Sequence, residues 1–170
     1  MGCLRSDRRL RSVNKTVSGS TTVDPIRSKI MRSVGRTDTR PELTTRRVLH
    51  GLGLRFRLHH PDLPGTPDIV LPRFRVVIFV HGCFWHRHEG CSKATTPKTR
   101  ADFWCRKFEQ NRHRDHRNEE LLAAQGWTAI TIWECETENP DELRIKLIRL
   151  FDRSWVSSAC ALSKMSPSVV

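Results

Sequence analysis

The stretch Val-Val-Ile-Phe-Val-His-Gly-Cys-Phe-Trp-His, residues 76–86, joins a structural signal to a chemical one. Its first five side chains are all apolar and mostly β-branched, which is typical of a strand buried on both faces of a sheet. Glycine, cysteine and two histidines follow within the next six residues, and cysteine and histidine are metal-binding residue types. We therefore predict a central strand at Phe74–Val80 with reactive side chains just past its carboxyl end.

Patterns on both sides of this strand predict the other elements of an α/β domain. Thr39 and Glu42 have the spacing of a capping box that opens a helix, and Thr99 and Gly126 are predicted to cap and to end a long polar helix. Further strands are expected at residues 54–58, 68–71 and 127–133, and helices at residues 39–52, 100–124 and 140–153. This order predicts a small mixed central sheet of four strands flanked by helices, with some parallel pairing.

The two ends of the chain differ from its middle in composition. Residues 1–23 are rich in arginine, serine and threonine without an apolar period, so we expect a disordered basic arm. The domain is expected to span residues 24–155, with a short helix opening at Asp24 and Pro25, and residues 156–170 are expected to form a flexible tail. We find neither an apolar run long enough to cross a membrane nor a secretion signal, which predicts a cytoplasmic protein.

Net charge indicates the class of partner. The chain contains 30 lysines and arginines against 18 aspartates and glutamates, which gives a formal charge of +12. Residues 1–36 contain nine positive and two negative side chains, and residues 93–117 contain eight and three, so these two stretches account for the whole excess. Charge segregated in this way attracts a polyanion. It favours nucleic acid over a small-molecule substrate, although a single basic run is often only a solvated face.

The cysteines indicate a metal site. Cys83, His88 and Cys91 place three metal-binding side chains within nine residues. Zn²⁺ prefers four tetrahedral ligands from cysteine and histidine, and we expect the fourth to be Cys135, which follows the strand predicted to pair beside the central one. Such a closed site is structural, because it leaves no position open for a substrate. The alternative is that these cysteines are independent buried thiols.

An acid and two histidines are expected at the same edge of the sheet. Asp68 opens a predicted strand, and His81 and His86 follow the adjacent one. This arrangement favours metal-assisted hydrolysis, in which Asp68 holds Mg²⁺ and a neutral histidine takes a proton from the attacking water. The alternative is that Asp68 is only a turn residue and that the histidines lie beside the zinc ligands by accident.

Aromatic residues accompany the basic charge. Phe84 and Trp85 lie inside the predicted zinc loop, and Trp104 lies near the start of the long basic helix. Flanked by cations such as Arg87, they fit a wedge that enters the base stack of a duplex.

The remaining side chains of that helix are expected to divide between core and groove. Phe103 and Phe108 are predicted to pack in the core as the inner stripe of the helix. Asn111 and Arg114 are candidates for contacts with base edges.

Three motifs together resemble the very-short-patch repair (Vsr) endonucleases: Leu-Pro-Gly-Thr-Pro-Asp at residues 63–68, Val-Ile-Phe-Val-His-Gly-Cys-Phe-Trp-His at 77–86, and Trp-Glu-Cys at 133–135. The resemblance covers about residues 24–155. It implies a restriction-endonuclease-like fold with a structural zinc. It also implies an activity that cuts a T·G mismatch 5′ to the thymine, where deamination of 5-methylcytosine has produced that base.

The resemblance further implies a role for each matching residue. Asp68 and the main-chain carbonyl of Val80 match the Mg²⁺ ligands, and His86 matches the general base on the attacking water. Glu42 matches the acid that positions water on the metal, and His81 matches a histidine close to the scissile phosphate. The zinc ligands and the aromatic wedge match at Cys83, His88, Cys91 and Cys135, and at Phe84, Trp85 and Trp104.

The biological setting implied by the resemblance is DNA repair in a bacterial cytoplasm. We expect a monomer that works at the nucleoid on double-stranded DNA, with a functional link to a cytosine-5 DNA methyltransferase. Two other functions stay open at this point. One is a non-catalytic, zinc-stapled DNA-binding module, and the other is a generic restriction-type nuclease of the same fold.

Overall fold

The computed structural model describes residues 37–151, and within this range a four-stranded mixed sheet lies between helices. The strands are β1 (Arg57–Leu58), β2 (Ile69–Leu71), β3 (Val76–His81) and β4 (Thr128–Trp133). The helices are α1 (Arg40–Gly51), α2 (Cys83–His86), α3 (Ala101–Ala124) and α4 (Pro140–Leu150), and two short 3-10 turns cover Pro72–Phe74 and Glu134–Thr137.

The sheet has the order β1-β2-β3-β4. The pairs β1/β2 and β2/β3 are antiparallel, whereas β3 and β4 are parallel, with His81 opposite Trp133. The start of β2 and the ends of β3 and β4 therefore meet at one edge of the sheet. The prediction of a small mixed sheet with one parallel crossover is confirmed.

Side chains of β3 alternate between two apolar layers, as expected for a strand covered on both faces. Val76 and Ile78 join a cluster formed with residues of α1 and α4, including Leu49 and Leu147. On the other face, Val77 and Phe79 pack with Leu122 of α3 and its neighbours. Burying a side chain of this size stabilises the fold by about 1.5 to 3 kcal/mol. The two apolar layers therefore hold β3, and the edge at its end, in a fixed position.

Helix α1 begins as the sequence predicts. Thr39 and Glu42 form the capping box, in which the Thr39 hydroxyl donates to Glu42 Oε1 at 2.8 Å. Helix α4 is capped by Asn139, whose side-chain oxygen accepts hydrogen bonds from the main-chain N–H groups of Asp141 and Glu142.

All four predicted strands begin later than expected, and β2 and β4 do so by one residue, at Ile69 and Thr128. The strand expected at residues 54–58 pairs only at Arg57–Leu58, because β2 is three residues long and offers two partners. Phe74 lies in a 3-10 turn instead of β3, and Arg75 closes that turn in a left-handed conformation with φ of 54°, so β3 begins at Val76.

Two predicted helix boundaries are also wrong. Thr99 does not cap α3, because Arg100 takes the cap position with φ of 55° and the helix begins at Ala101. Helix α4 ends at Leu150, before the expected Arg153.

Several predictions concern residues outside the described range. They are the basic arm at residues 1–23, the helix opening at Asp24 and Pro25, and the tail at residues 156–170. Among the described residues, no helix combines the length and apolar character that a membrane span requires.

Candidate active site

Asp68 stands at the edge where β2 begins. Its Oδ2 accepts a hydrogen bond of 2.7 Å from the main-chain N–H of Val80, which ties the carboxylate to the end of β3. Burial raises the pKa of the Asp68 carboxyl above its ordinary value, and the charge of Glu42 acts in the same direction. The Val80 N–H and the charges of His59 and Arg46 act in the opposite direction but do not outweigh burial, and a bound cation would favour the ionised carboxylate further.

The two histidines expected at this edge lie face to face. The rings of His81 and His86 are stacked, with their centroids 3.8 Å apart and their planes inclined by 12°. Burial lowers the pKa of His81 to about 4, and the nearby His86 acts in the same direction. His81 is therefore neutral near pH 7, which allows the two imidazoles to stack without mutual charge repulsion.

A second carboxylate, Asp115 of α3, joins these histidines. Its Oδ2 lies 2.5 Å from Nδ1 of His86, and both side chains are largely buried. Burial raises the pKa of Asp115, but the hydrogen bond and charge of His86 outweigh this effect and hold that pKa below its usual range. We call Asp68, His81, His86 and Asp115 the acid–histidine edge.

The sequence interpretation did not include Asp115. A helical signal was present, because Asn111 and Asp115 are four residues apart and share one face of α3. Both side chains contact α2: Asn111 Nδ2 donates to the carbonyl of Trp85 at 3.0 Å, and Asp115 binds the next residue, His86.

Asn111 has a different position from the one expected for a base-reading residue. It is 6% exposed and its amide is engaged with the main chain of Trp85. Its observed contact supports α2. The segment that was expected to be a loop is itself a single helical turn, with Cys83 at its start and His86 at its end.

Glu42 lies in the first turn of α1, where its side chain is buried and its charge acts on Asp68. It is 3% exposed, and its Oε2 accepts hydrogen bonds from the main-chain N–H of Asp38 and from Arg46. Arg46 also pairs with Asp38 and lies 3.1 Å from Nε2 of His59. We call Asp38, Glu42, Arg46 and His59 the Arg46 network; of these residues, the sequence interpretation named only Glu42.

Four side chains converge beyond the end of β3 as the spacing predicts. We call them the cysteine cluster, and their donor atoms all lie within 4.8 Å of one another: Cys83, His88, Cys91 and Cys135. His88 Nδ1 is 3.3 Å from Cys135 Sγ and 3.7 Å from Cys83 Sγ. Sulfur and nitrogen ligands of one tetrahedral zinc ion are about 3.5 Å apart, so the donor set and its spacing fit that ion.

The pKa values of the cluster differ from one thiol to the next. Burial raises the pKa of the Cys83 thiol to about 12 and raises that of Cys135. The main-chain N–H of Lys93, in contrast, lowers the pKa of Cys91 by hydrogen bonding to its sulfur. Buried thiols become thiolates only where positive charge is supplied, and a metal ion supplies it.

Trp133 lies between the cysteine cluster and the acid–histidine edge. Its ring stacks on His88 with a centroid distance of 4.2 Å and an interplanar angle of 8°. It also meets His81 edge-on at 5.6 Å. The two groups of side chains are therefore in continuous ring contact.

The aromatic residues expected to form a wedge are clustered. Phe84 packs edge-on against Trp85 at 5.1 Å and against Trp104 at 5.4 Å, and all three side chains are half-buried. Phe108 is 5% exposed and packs in this cluster, as predicted. Phe103 is not in the core, because 41% of it is exposed and Arg100 covers its ring at 4.5 Å.

The basic charge of α3 faces outward in part. Arg114 is 60% exposed in its side chain, and Arg106, Lys107, Arg112 and Arg117 are also exposed. Arg87 differs from the expectation of a phosphate-holding cation. It donates to the carbonyls of Ala94 and Thr95 and lies over the Phe108 ring, so it fastens the segment after α2.

Sequence comparisons relate this chain to a family of endonucleases. A family model described as DNA mismatch endonuclease Vsr matches residues 22–93. The type II nicking enzyme V.XorIIP of Xanthomonas oryzae pv. oryzae is 50% identical over 128 residues, which cover 75% of this chain and 93% of that enzyme. The type II nicking enzyme V.NmeAIP of Neisseria meningitidis is 40% identical over 124 residues, covering 73% and 88%. The DNA mismatch endonuclease Vsr of Escherichia coli is 38% identical over 130 residues, covering 76% and 83%.

Proposed function

Because the chain belongs to the Vsr family of DNA mismatch endonucleases, we propose that it nicks double-stranded DNA 5′ to the thymine of a T·G mismatch. The nick starts the repair of deaminated 5-methylcytosine. The observation that carries the proposal is the acid–histidine edge. His81 is stacked on His86, and His86 is paired with Asp115. Asp68 is hydrogen-bonded to Val80, the residue before His81.

The general base of this reaction is His86. Asp115 accepts the hydrogen bond from Nδ1–H of His86, which leaves Nε2 as the proton acceptor and holds the ring in that tautomer. His86 Nε2 takes the proton of the attacking water as the water oxygen bonds to phosphorus. The P–O3′ bond breaks, the 3′ oxygen leaves and takes a proton from solvent, and a 5′ phosphate remains on the thymine side of the nick. His81, neutral and stacked on His86, lies beside the scissile phosphate.

Asp68 and the main-chain carbonyl of Val80 hold Mg²⁺ in this proposal. The fit rests on the carboxylate itself, which is ordered by the Val80 N–H and whose ionised form is disfavoured by burial. When bound, Mg²⁺ supplies Lewis-acid chemistry by neutralising charge on the phosphate. Glu42 orients water near this carboxylate, and its own position is fixed by Thr39 and Arg46.

The cysteine cluster holds a structural Zn²⁺. Its four donors come from α2, from the segment that follows and from the turn after β4, so one ion fastens three parts of the chain at the edge of the sheet. All four positions of a tetrahedral ion are filled by protein, so the zinc stabilises the fold and takes no part in the cleavage.

The aromatic cluster reads the mismatch. Phe84, Trp85 and Trp104 enter the base stack beside the T·G pair while the exposed cations of α3 hold the phosphates. Arg114, which the sequence made a candidate for base-edge contacts, is exposed among these cations and is assigned here to the phosphates. Unstacking a step costs a few kcal/mol, and a wobble pair lowers that cost. The protein acts as a monomer on DNA that a cytosine-5 methyltransferase has modified.

The test is strand-specific nicking of three duplexes that differ only at one pair. With Mg²⁺ present, we expect cleavage 5′ to the thymine of the T·G duplex and little cleavage of the T·A and C·G controls. Equal cutting of all three would identify a generic nuclease. Binding to T·G without cleavage at any Mg²⁺ concentration would identify a non-catalytic DNA-binding module.

A further inference from the structure

Arg46 is a buried cation at the functional edge. Its side chain is 10% exposed, and its guanidinium contacts three groups: the carboxylates of Asp38 and Glu42 and the imidazole of His59. Its neighbour on α1, Arg47, is exposed. Two adjacent arginines on one helix therefore have opposite environments, and only the buried one meets residues near Asp68.

The guanidinium holds the imidazole of His59. Nη2 of Arg46 lies 3.1 Å from Nε2 of His59, and an arginine only donates hydrogen bonds, so the imidazole nitrogen is the acceptor in this contact. The main-chain N–H of His59 also faces the carbonyl of Asp68 at 3.5 Å, so Arg46 orders the strand end that lies opposite the metal-binding carboxylate.

The same guanidinium lies where a metal ion would fit. Donor atoms of Asp38, Glu42 and His59 lie within 4.8 Å of one another, a spacing that suits a shared cation. Arg46 supplies that positive charge from within the chain, since it bonds to all three residues. The charge of Glu42 raises the pKa of the Asp68 carboxyl, and the charge of Arg46 lowers it.

We propose that Arg46 is a positioning residue that acts as a built-in cation: it holds Glu42 and His59 in place beside Asp68 and limits how strongly this edge attracts divalent metal from solution. The inference rests on the proposed function, because it assigns Arg46 to the metal-dependent step of that reaction. It requires that the charge of Arg46 controls metal affinity, and that its forked guanidinium controls the positions of Glu42 and His59.

Arg46→Met separates binding of metal from turnover. Removing the positive charge leaves Glu42 and Asp38 free to attract a cation, so Mn²⁺ is expected to bind about fivefold more tightly. Glu42 and His59 lose their fixed positions, so nicking of the T·G duplex is expected to slow by about tenfold or more. Damage to the fold alone would weaken both properties together. Mn²⁺ binding is measured on zinc-loaded protein by water-proton relaxation. Binding that remains in the Asp68→Asn variant is subtracted, because it does not depend on the Asp68 carboxylate.

Three variants complete the test. Arg46→Lys keeps the charge but loses the fork that bridges three groups, so Mn²⁺ binding should equal that of the parent while nicking slows. Arg47→Met removes an exposed arginine from the same helix and should change neither property. The double variant Glu42→Gln/Arg46→Met removes one charge of each sign, so Mn²⁺ affinity should return to the parent value while nicking stays slow.

Two sets of results would overturn the inference. One is unchanged or weaker Mn²⁺ binding by Arg46→Met, and the other is parental nicking by Arg46→Lys or by the double variant. Arg46→Met leaves its partner carboxylates buried and unpaired, which can prevent folding. In that case Arg46→Lys and the double variant Glu42→Gln/Arg46→Met decide the question. Failure of the proposed function looks different: the parent would bind Mn²⁺ with the expected dependence on Arg46 but would not prefer the T·G duplex.

Discussion

The cysteine cluster and the acid–histidine edge are both rich in metal-binding residue types and share α2, yet they are completed differently. In the cysteine cluster four donors face one another within 4.8 Å. At the edge, donor atoms of His81, His86 and Asp115 also lie within 4.8 Å of one another, but Asp115 is paired with His86, and Asp68 is bound to the Val80 N–H. Four cysteine and histidine donors fill every position of a tetrahedral ion, whereas the donors of the edge are already paired with one another or with the main chain. In the proposed function the cysteine cluster is therefore a closed structural site and the edge an open reactive one.

The largest expected effect comes from breaking the closed site. Cys135→Ser should lose bound zinc and with it about 5 kcal/mol or more of folding stability, since binding of a structural metal is also folding free energy. Zinc content and the thermal unfolding midpoint measure both losses. Cys105→Ser, which replaces a half-buried thiol of α3 outside the cysteine cluster, is the matched control and should retain its zinc. Retention of zinc by Cys135→Ser would remove Cys135 from the ligand set.

The next effect separates activity from stability at the open site. Asp68→Asn should reduce nicking by about 10⁴-fold, because in the proposed mechanism it removes the carboxylate that holds Mg²⁺. It should nevertheless raise the thermal unfolding midpoint, because burial raises the pKa of Asp68 and makes its ionised form unfavourable in the folded state at neutral pH. Unfolding scans with and without Mg²⁺ test this: the ion should stabilise the parent and not the variant. A lower midpoint for Asp68→Asn would contradict the account.

His86 and Asp115 should have graded effects. His86→Ala is expected to slow nicking by about 10³-fold with zinc content and mismatch binding intact, because only the proton acceptor is removed. Asp115→Asn is expected to slow it by about 10²-fold, because the ring loses its fixed tautomer and keeps its position. Single-turnover nicking rates measure both, and Asp141→Asn on the surface of α4 serves as the control. A fully active His86→Ala would overturn its assignment.

The smallest effect concerns the outer face of α3. Arg114→Gln should weaken binding to matched and mismatched duplexes alike and lower the salt slope of binding by about 1, the value for one phosphate contact. Arg149→Gln, an exposed change on α4, should leave the slope unaltered. A change in mismatch preference without a change in slope would mean that Arg114 contacts bases instead of phosphates.

The sequence predicted the side chains whose positions depend on local spacing and on strand topology. Cys83, His88 and Cys91 are close in the chain, and Cys135 follows from the parallel pairing of β3 with β4. Asp68, His81 and His86 follow from the meeting of strand ends at one edge. The capping box of α1 follows from Thr39 and Glu42 alone.

The residues that sequence reasoning missed are those whose contacts depend on how a helix is rotated against the sheet. Asp115 is 29 positions from His86, and its contact depends on the rotation of α3 that also buries Asn111. Arg46 and Arg47 are identical residues in the sequence pattern, and only the packing of α1 makes one of them a buried partner of Glu42. Phe103 was expected in the core as part of the inner stripe of α3, but the rotation of this helix leaves it exposed.

The single turn from Cys83 to His86 also limits how this chain can change in length. Adding or deleting one residue inside a helical turn rotates every later side chain by about 100°, which would point His86 away from Asp115 while Cys83 stayed in place. Residues 98–99 are exposed, lie outside the helices and come after the stretch that Arg87 holds, so extra residues there meet no such requirement. Insertions and deletions are therefore expected to accumulate at these two positions and to be absent from the four-residue turn.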